Sequence, residues 1–242
     1  MGRKGKMVDK EINSTYLEET ITIKWYQPEA FTPLNTYHLC IMQDGNDYFQ
    51  MGRVATLSDK LHDEAEIEDT VFVGIHYRNR YDRHDKYHPS GPKNEAYTNF
   101  LVREVLPLLD QELSTHQISG SRTLMGDSLA GTLALMTAIK YPNTFGNVIM
   151  QSPYVDETVL DAVQKANNLD KLSIYHTIGT EEANVETTIA EVKDFLTPNR
   201  KLRDLITEKN TEYIYHELEG NHTWKYWQQD LPRALKTIFG WE

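Results

Sequence analysis

Residues 18–26 alternate apolar with polar side chains. That period of two predicts a half-exposed strand, and Pro28 and Pro33 end it. Residues 36–43 predict a second, more apolar strand, closed by the turn-forming run Asp44-Gly45-Asn46. Continuous β-branched and aromatic character over 70–77 suits a strand buried on both faces, as in a parallel sheet. A polar loop is expected from Arg78 to about Asn94. The period then changes. Tyr97, Phe100, Leu101, Val105, Leu108, Leu109 and Leu113 share one stripe of a helix over 95–113, which Pro107 is expected to kink or bring to its last stretch.

Strand patterns at 122–126, 146–151, 171–179 and 211–218 alternate with helical patterns at 128–140, 156–168 and 224–239. A further helix is expected after Thr197, with Thr197 as its cap and Pro198 at its first position, where the missing N–H costs nothing. Strands and helices alternating on this spacing predict an α/β protein: a mostly parallel central sheet with helices on both faces. In such sheets the functional groups gather at the carboxyl ends of the strands.

Composition narrows the reading. A chain of 242 residues without linker, repeat or low-complexity tract is read as one domain over 1–242. Its 25 Lys and Arg against 36 Asp and Glu give a net charge of −11. That balance argues against nucleic acid or an anionic membrane surface as the main partner. The basic run Arg3-Lys4-Gly5-Lys6 has no apolar stretch after it, and no segment approaches the ~18 apolar residues of a membrane span. A cytoplasmic location follows by default. Cys40 is the single cysteine, so no internal disulfide forms, and its apolar neighbours mark it as a buried strand thiol rather than a nucleophile.

The chemistry centres on Met125-Gly126-Asp127-Ser128-Leu129-Ala130-Gly131, an apolar strand running through an isolated serine into a helix. This is the local pattern of a nucleophile elbow, whose tight turn exposes the serine hydroxyl and demands small residues two before and two after it. Gly126 and Ala130 occupy those places, with alanine where glycine is usual. Past the strand at 171–179 comes Thr180-Glu181-Glu182, and past the strand at 211–218 comes Glu219-Gly220-Asn221-His222. Serine, acid and histidine in that chain order form the α/β-hydrolase triad. A serine hydroxyl needs a neutral imidazole to take its proton, and the imidazole needs a carboxylate to orient it. Glu182 is the expected acid, with Glu181 and Glu186 as substitutes, and His222 the expected base. The oxyanion would be held by the backbone N–H of Leu129 and of a residue within 45–48 in the loop after the second strand, Asn46 being the choice.

Taken together, Ile41-Met42-Gln43-Asp44-Gly45-Asn46, Arg80-Tyr81-Asp82, Tyr87-His88-Pro89, the elbow, Gln151-Ser152-Pro153, Gly220-Asn221-His222-Thr223-Trp224 and Tyr226-Trp227 resemble the esterase branch of the α/β hydrolases across nearly the whole chain. That branch includes enterochelin-type siderophore esterases, S-formylglutathione hydrolases, feruloyl and acetyl esterases, and mycolyltransferases. The resemblance implies an α/β-hydrolase fold with a small lid or none, and a metal-independent, cofactor-free serine esterase acting through Ser128, His222 and an acid near Glu182. It gives the reaction type better than the natural ester, which is expected to be a short-chain or small soluble one, siderophore-type or acetyl esters among them.

Arg83 and Tyr87, on a loop leaving a strand's carboxyl end, are expected to line the entrance beside the serine. Trp224 either grips an aryl or acyl group or, with Tyr226 and Trp227, buries the last helix. His84 and His88 have helical spacing but lack the intervening glutamate of a metalloprotease, and Pro89 marks a loop, so no metal is expected. Acyl transfer or thioester hydrolysis by the same triad, and a binding module on a hydrolase scaffold without turnover, are the alternative functions. A small-molecule ester is the expected partner, and a homodimer is compatible with the sequence.

Overall fold

The computed structural model describes residues 3–187 and 191–241. Eight strands form one sheet: β1 (Lys6–Ser14), β2 (Glu19–Gln27), β3 (His38–Gln43), β4 (Thr70–Ile75), β5 (Arg122–Asp127), β6 (Asn147–Gln151), β7 (Ser173–Gly179) and, after a two-stranded ribbon of β8 (Val185–Glu186) and β9 (Val192–Lys193), β10 (Glu212–Leu218). Their order across the sheet is β1-β2-β4-β3-β5-β6-β7-β10. β1, β2 and β4 pair antiparallel, and every pairing from β4 onward is parallel. This is the α/β arrangement read from the alternation of patterns.

Alternation within each buried strand divides the core in two. Leu39 and Ile41 of β3 join Val73, Leu124 and Val148 on one face, whereas Cys40 and Met42 join Phe72, Met125 and Ile149 on the other. The first face is covered by α4 (Asn94–Phe100), α5 (Leu106–Glu112), α6 (Leu129–Lys140), α7 (Glu157–Lys165) and α8 (Leu196–Thr207). The second is covered by α1 (Gly45–Gln50), α2 (Val54–Asp63) and α9 (Trp224–Phe239). Cys40 lies fully buried against Met125, and burial pushes its thiol pKa up, so it is inert.

Three segments take a form other than the one expected, and β1, α1 and α2 were not expected from the sequence at all. The expected polar loop after Arg78 contains a helix, α3 (Arg80–Tyr87), whose N–H groups at Tyr81 and Asp82 are capped by the Asn79 side chain. Its buried face consists of the charged Asp82, Arg83 and Lys86 with Tyr87 alone among them, which leaves no apolar stripe to read. The helix over 95–113 is interrupted by a π-helical turn at Leu101–Val105, where the Leu106 N–H reaches back to the Leu101 carbonyl, and Pro107 sits in the first turn of α5. The wider turn lies directly ahead of the proline, which has no N–H to donate. Finally, α8 begins at Leu196, ahead of Thr197, and Asp194 rather than Thr197 supplies the side-chain acceptor, taking the Thr197 N–H at 3.0 Å.

Candidate active site

The elbow forms where β5 gives way to α6. Ser128 has φ 51° and ψ −126°, a backbone conformation that a non-glycine residue adopts at a cost of about 1–3 kcal/mol unless its neighbours impose it. They do so here: the Ser128 N–H donates to Gln151 O at 2.9 Å, and the Ser128 carbonyl accepts from Gly131 and Tyr154. A Cβ at Gly126 would lie 2.3 Å from the Ala130 carbonyl carbon, so only glycine fits there. Ala130, in the place where glycine is usual, is fully buried in the larger core without displacing the turn.

Past the end of β7, Glu182 turns inward and is completely buried, while Glu181 and Glu186 are exposed. Its Oε2 accepts a hydrogen bond from His222 Nδ1 at 2.7 Å, and its Oε1 accepts the Gly179 N–H at 2.9 Å. His222 follows β10, reached through Gly220, where a Cβ would strike the Tyr226 ring at 2.3 Å. The imidazole is held between Phe195, at 4.5 Å between ring centroids, and Trp227, at 4.9 Å edge-on. With Nδ1 donating to Glu182, Nε2 is the nitrogen left to accept a proton. Ser128, Leu129 and His222 line one cavity of about 110 Å3, whose other walls include Tyr154, Phe195 and Lys193.

Beside this cavity lies a buried charge cluster. Asp44, with φ 58°, ends β3, and its carboxylate receives Arg83 Nε at 2.9 Å and Nη2 at 2.5 Å. Burial disfavours the guanidinium charge, but Asp44 outweighs it and Arg83 is held protonated. Asp127, immediately before Ser128, is buried; burial and then Asp44 push its carboxyl well above the usual carboxylate range.

The structure thus brings Ser128, Leu129, Glu182 and His222 together. Asn46 sits in the first turn of α1, and its residue borders a separate groove with Glu19, Lys24 and His76. Arg83 does line the cavity, but its fork is taken up by Asp44, not offered to solvent. The expected entrance position of Tyr87 is corrected: the ring is fully buried, 5.3 Å from Tyr97, with its oxygen near the Asp44 N–H, because α3 turns this residue into the core. Trp224 likewise stands outside the cavity lining, edge-on to Tyr48 at 4.8 Å and to Trp227 at 5.5 Å, so its burial role prevails. Residues the sequence reading missed are Tyr154, Phe195 and Lys193 on the cavity wall. Tyr154 was reachable by the strand-end rule, since it follows β6; Lys193 and Phe195 lie far from any main-sheet strand end and carried no signal.

Comparison with known proteins agrees with this architecture. Over 236 residues the chain is 44% identical to "Uncharacterized protein YjcH" of Bacillus subtilis (strain 168), covering 98% of both chains. Among solved structures, a ferulic acid esterase superposes with a TM-score of 0.81 at 16% identity, covering 98% of this chain and 99% of that one. The enterobactin esterase FES from Shigella flexneri superposes with a TM-score of 0.83 at 17% identity, over 96% of this chain and 58% of that longer one. The BES protein from Bacillus cereus gives 0.80 at 18% identity, over 96% and 94%. These likenesses carry the α/β-hydrolase fold. The family model described as "Putative esterase" matches residues 14–238, and the chain belongs to that family of ester-bond hydrolases.

Proposed function

We propose that the protein is a serine esterase that cleaves a short-chain or small soluble carboxylic ester through an acyl-Ser128 intermediate. His222 Nε2 takes the Ser128 proton as Oγ attacks the ester carbonyl, and the oxyanion is met by the N–H group of Leu129 and by one from the loop after β3, within residues 45–48. Collapse breaks the C–O bond, and the leaving alkoxide takes the proton from His222. A water molecule, deprotonated in turn by His222, then attacks the acyl carbon; the acyl–Oγ bond breaks, Ser128 Oγ takes the proton back from His222, and the acid is released. The observation that carries this reading is the buried Glu182 bonded at 2.7 Å to His222 Nδ1, in the wall of the cavity that Ser128 also lines. Glu182 would fix the tautomer and stabilise the imidazolium.

Cavity size supports the short acyl group. At about 110 Å3 it is smaller than the ~150 Å3 cavity that accommodates a benzene ring. The test is hydrolysis of p-nitrophenyl esters from acetate to decanoate by wild type and Ser128→Ala. Turnover is expected to be best for the shortest chains, to fall towards decanoate and to vanish with Ser128; equal turnover by the two proteins overturns the reading.

A further inference from the structure

Glu182 makes one contact that a triad does not require. Besides the Gly179 N–H, its Oε1 accepts the Ser152 hydroxyl at 2.6 Å. Ser152 is fully buried at the carboxyl end of β6, the strand lying between those that deliver Ser128 and Glu182. It has φ 47°, a left-handed conformation that persists in a non-glycine residue only where the surroundings over-determine it. Its N–H donates to Thr177 O at 2.7 Å, locking it to β7. The hydroxyl oxygen in turn accepts Trp227 Nε1 at 2.9 Å. An indole N–H can only donate, so it occupies a lone pair of Ser152 and leaves the single hydroxyl proton for Glu182. Every donor in the chain therefore points one way, towards the carboxylate. Trp227 is itself buried, and its ring forms one wall of the His222 slot. The last helix thus holds the base from one side and, through Ser152, the acid from the other.

We propose that Ser152 and Trp227 are positioning residues that clamp Oε1 of Glu182, leaving Oε2 as the oxygen presented to His222. The proposal rests on the triad reading, because it acts only through Glu182. Neither residue lines the cavity, and the clamp is expected to govern turnover rather than binding.

The experiment measures kcat and KM on p-nitrophenyl acetate for Ser152→Ala and Trp227→Phe, each in the wild-type and in the Glu182→Gln background, with a melting temperature for every variant. In the wild-type background each is expected to lower kcat about ten- to a hundredfold, the weight of one hydrogen bond to a charged group, with KM within about twofold. In the Glu182→Gln background the same substitutions are expected to cost nothing more, since their effect passes through the carboxylate. An equal fold-loss in both backgrounds marks a structural role only and overturns the clamp, as does wild-type kcat in Ser152→Ala. Should Ser152→Ala not fold, Trp227→Phe keeps an aromatic ring in the slot and decides alone. If Glu182→Gln by itself turns over like wild type, the triad assignment fails and the clamp with it, an outcome distinct from failure of the clamp alone.

Discussion

Arg83 and Asp44 meet across 39 residues of sequence, and nothing local to either announces it. On α3 the arginine stands in a run of charged side chains that reads as a solvated loop, yet its guanidinium is buried against a carboxylate beside the cavity that Ser128 lines. Arg83→Met would leave Asp44 buried without its cation. It is expected to lower unfolding stability by about 3–5 kcal/mol in urea titrations, and to reduce kcat by loosening the loop after β3. The acid is a sharper case. Glu182→Gln is expected to cut kcat about a thousand- to ten-thousandfold on p-nitrophenyl acetate, whereas Glu181→Gln and Glu186→Gln, on exposed side chains, leave it within about twofold. Ser128, Glu182 and His222 were each readable as polar residues just past a strand, because topology alone sends strand ends to one edge. The glutamate that turns inward was expected to be Glu182, with Glu181 and Glu186 left open. The inward turn depends on Gly179 clearing the space: a Cβ there would stand 2.6 Å from Glu182 Oε1.

Strands of continuous apolar character and long helices with one apolar stripe were legible, whereas the shorter α2 passed unread. The last helix, over 224–239, has the bounds that its pattern predicts, because Trp227, Leu231, Leu235 and Phe239 bury one face. The edge strand β1 gave no signal: its side chains are mostly exposed or half-buried, and its register against β2 is set by backbone pairing that leaves little trace in hydropathy. α3 was misread as loop for the opposite reason, since what it buries is charge. The tight joint between β5 and α6 depends on one missing methyl. Gly126→Ala would press a Cβ to 2.3 Å from the Ala130 backbone, and is expected to cost about 1–3 kcal/mol of stability in thermal or urea unfolding, with activity lost in proportion to the displaced Ser128. Stability close to wild type with full activity would show that the elbow can open without consequence.

Across the molecule, the covering of both sheet faces and the mostly parallel pairing were readable from the alternation of strands and helices, while the strand order and the polar pairings that pin its far edge were not. His176 on β7 is fully buried, with Nε2 on Asn199 of α8 at 2.7 Å and Nδ1 on Tyr213 of β10 at 2.8 Å. Burial depresses its pKa to about 3, from an ordinary value near 6.5 in the unfolded chain. Between those values the unfolded state binds the extra proton, so the contribution is whole above about pH 6.5 and drains away as pH falls towards 3. Urea titrations at pH 7 and pH 4 are expected to show a smaller acid loss for His176→Gln than for wild type; equal losses would exclude His176 as a source. Among the described residues, no helix is long and apolar enough to cross a membrane. The central claim is that Ser128 is the nucleophile, and trapping tests it most directly. After exposure to a fluorophosphonate, peptide mass mapping should find a single phosphonyl group on Ser128 and none anywhere in Ser128→Ala. A wild-type protein that stays unlabelled while hydrolysing p-nitrophenyl acetate, or a label on another residue, would contradict the account.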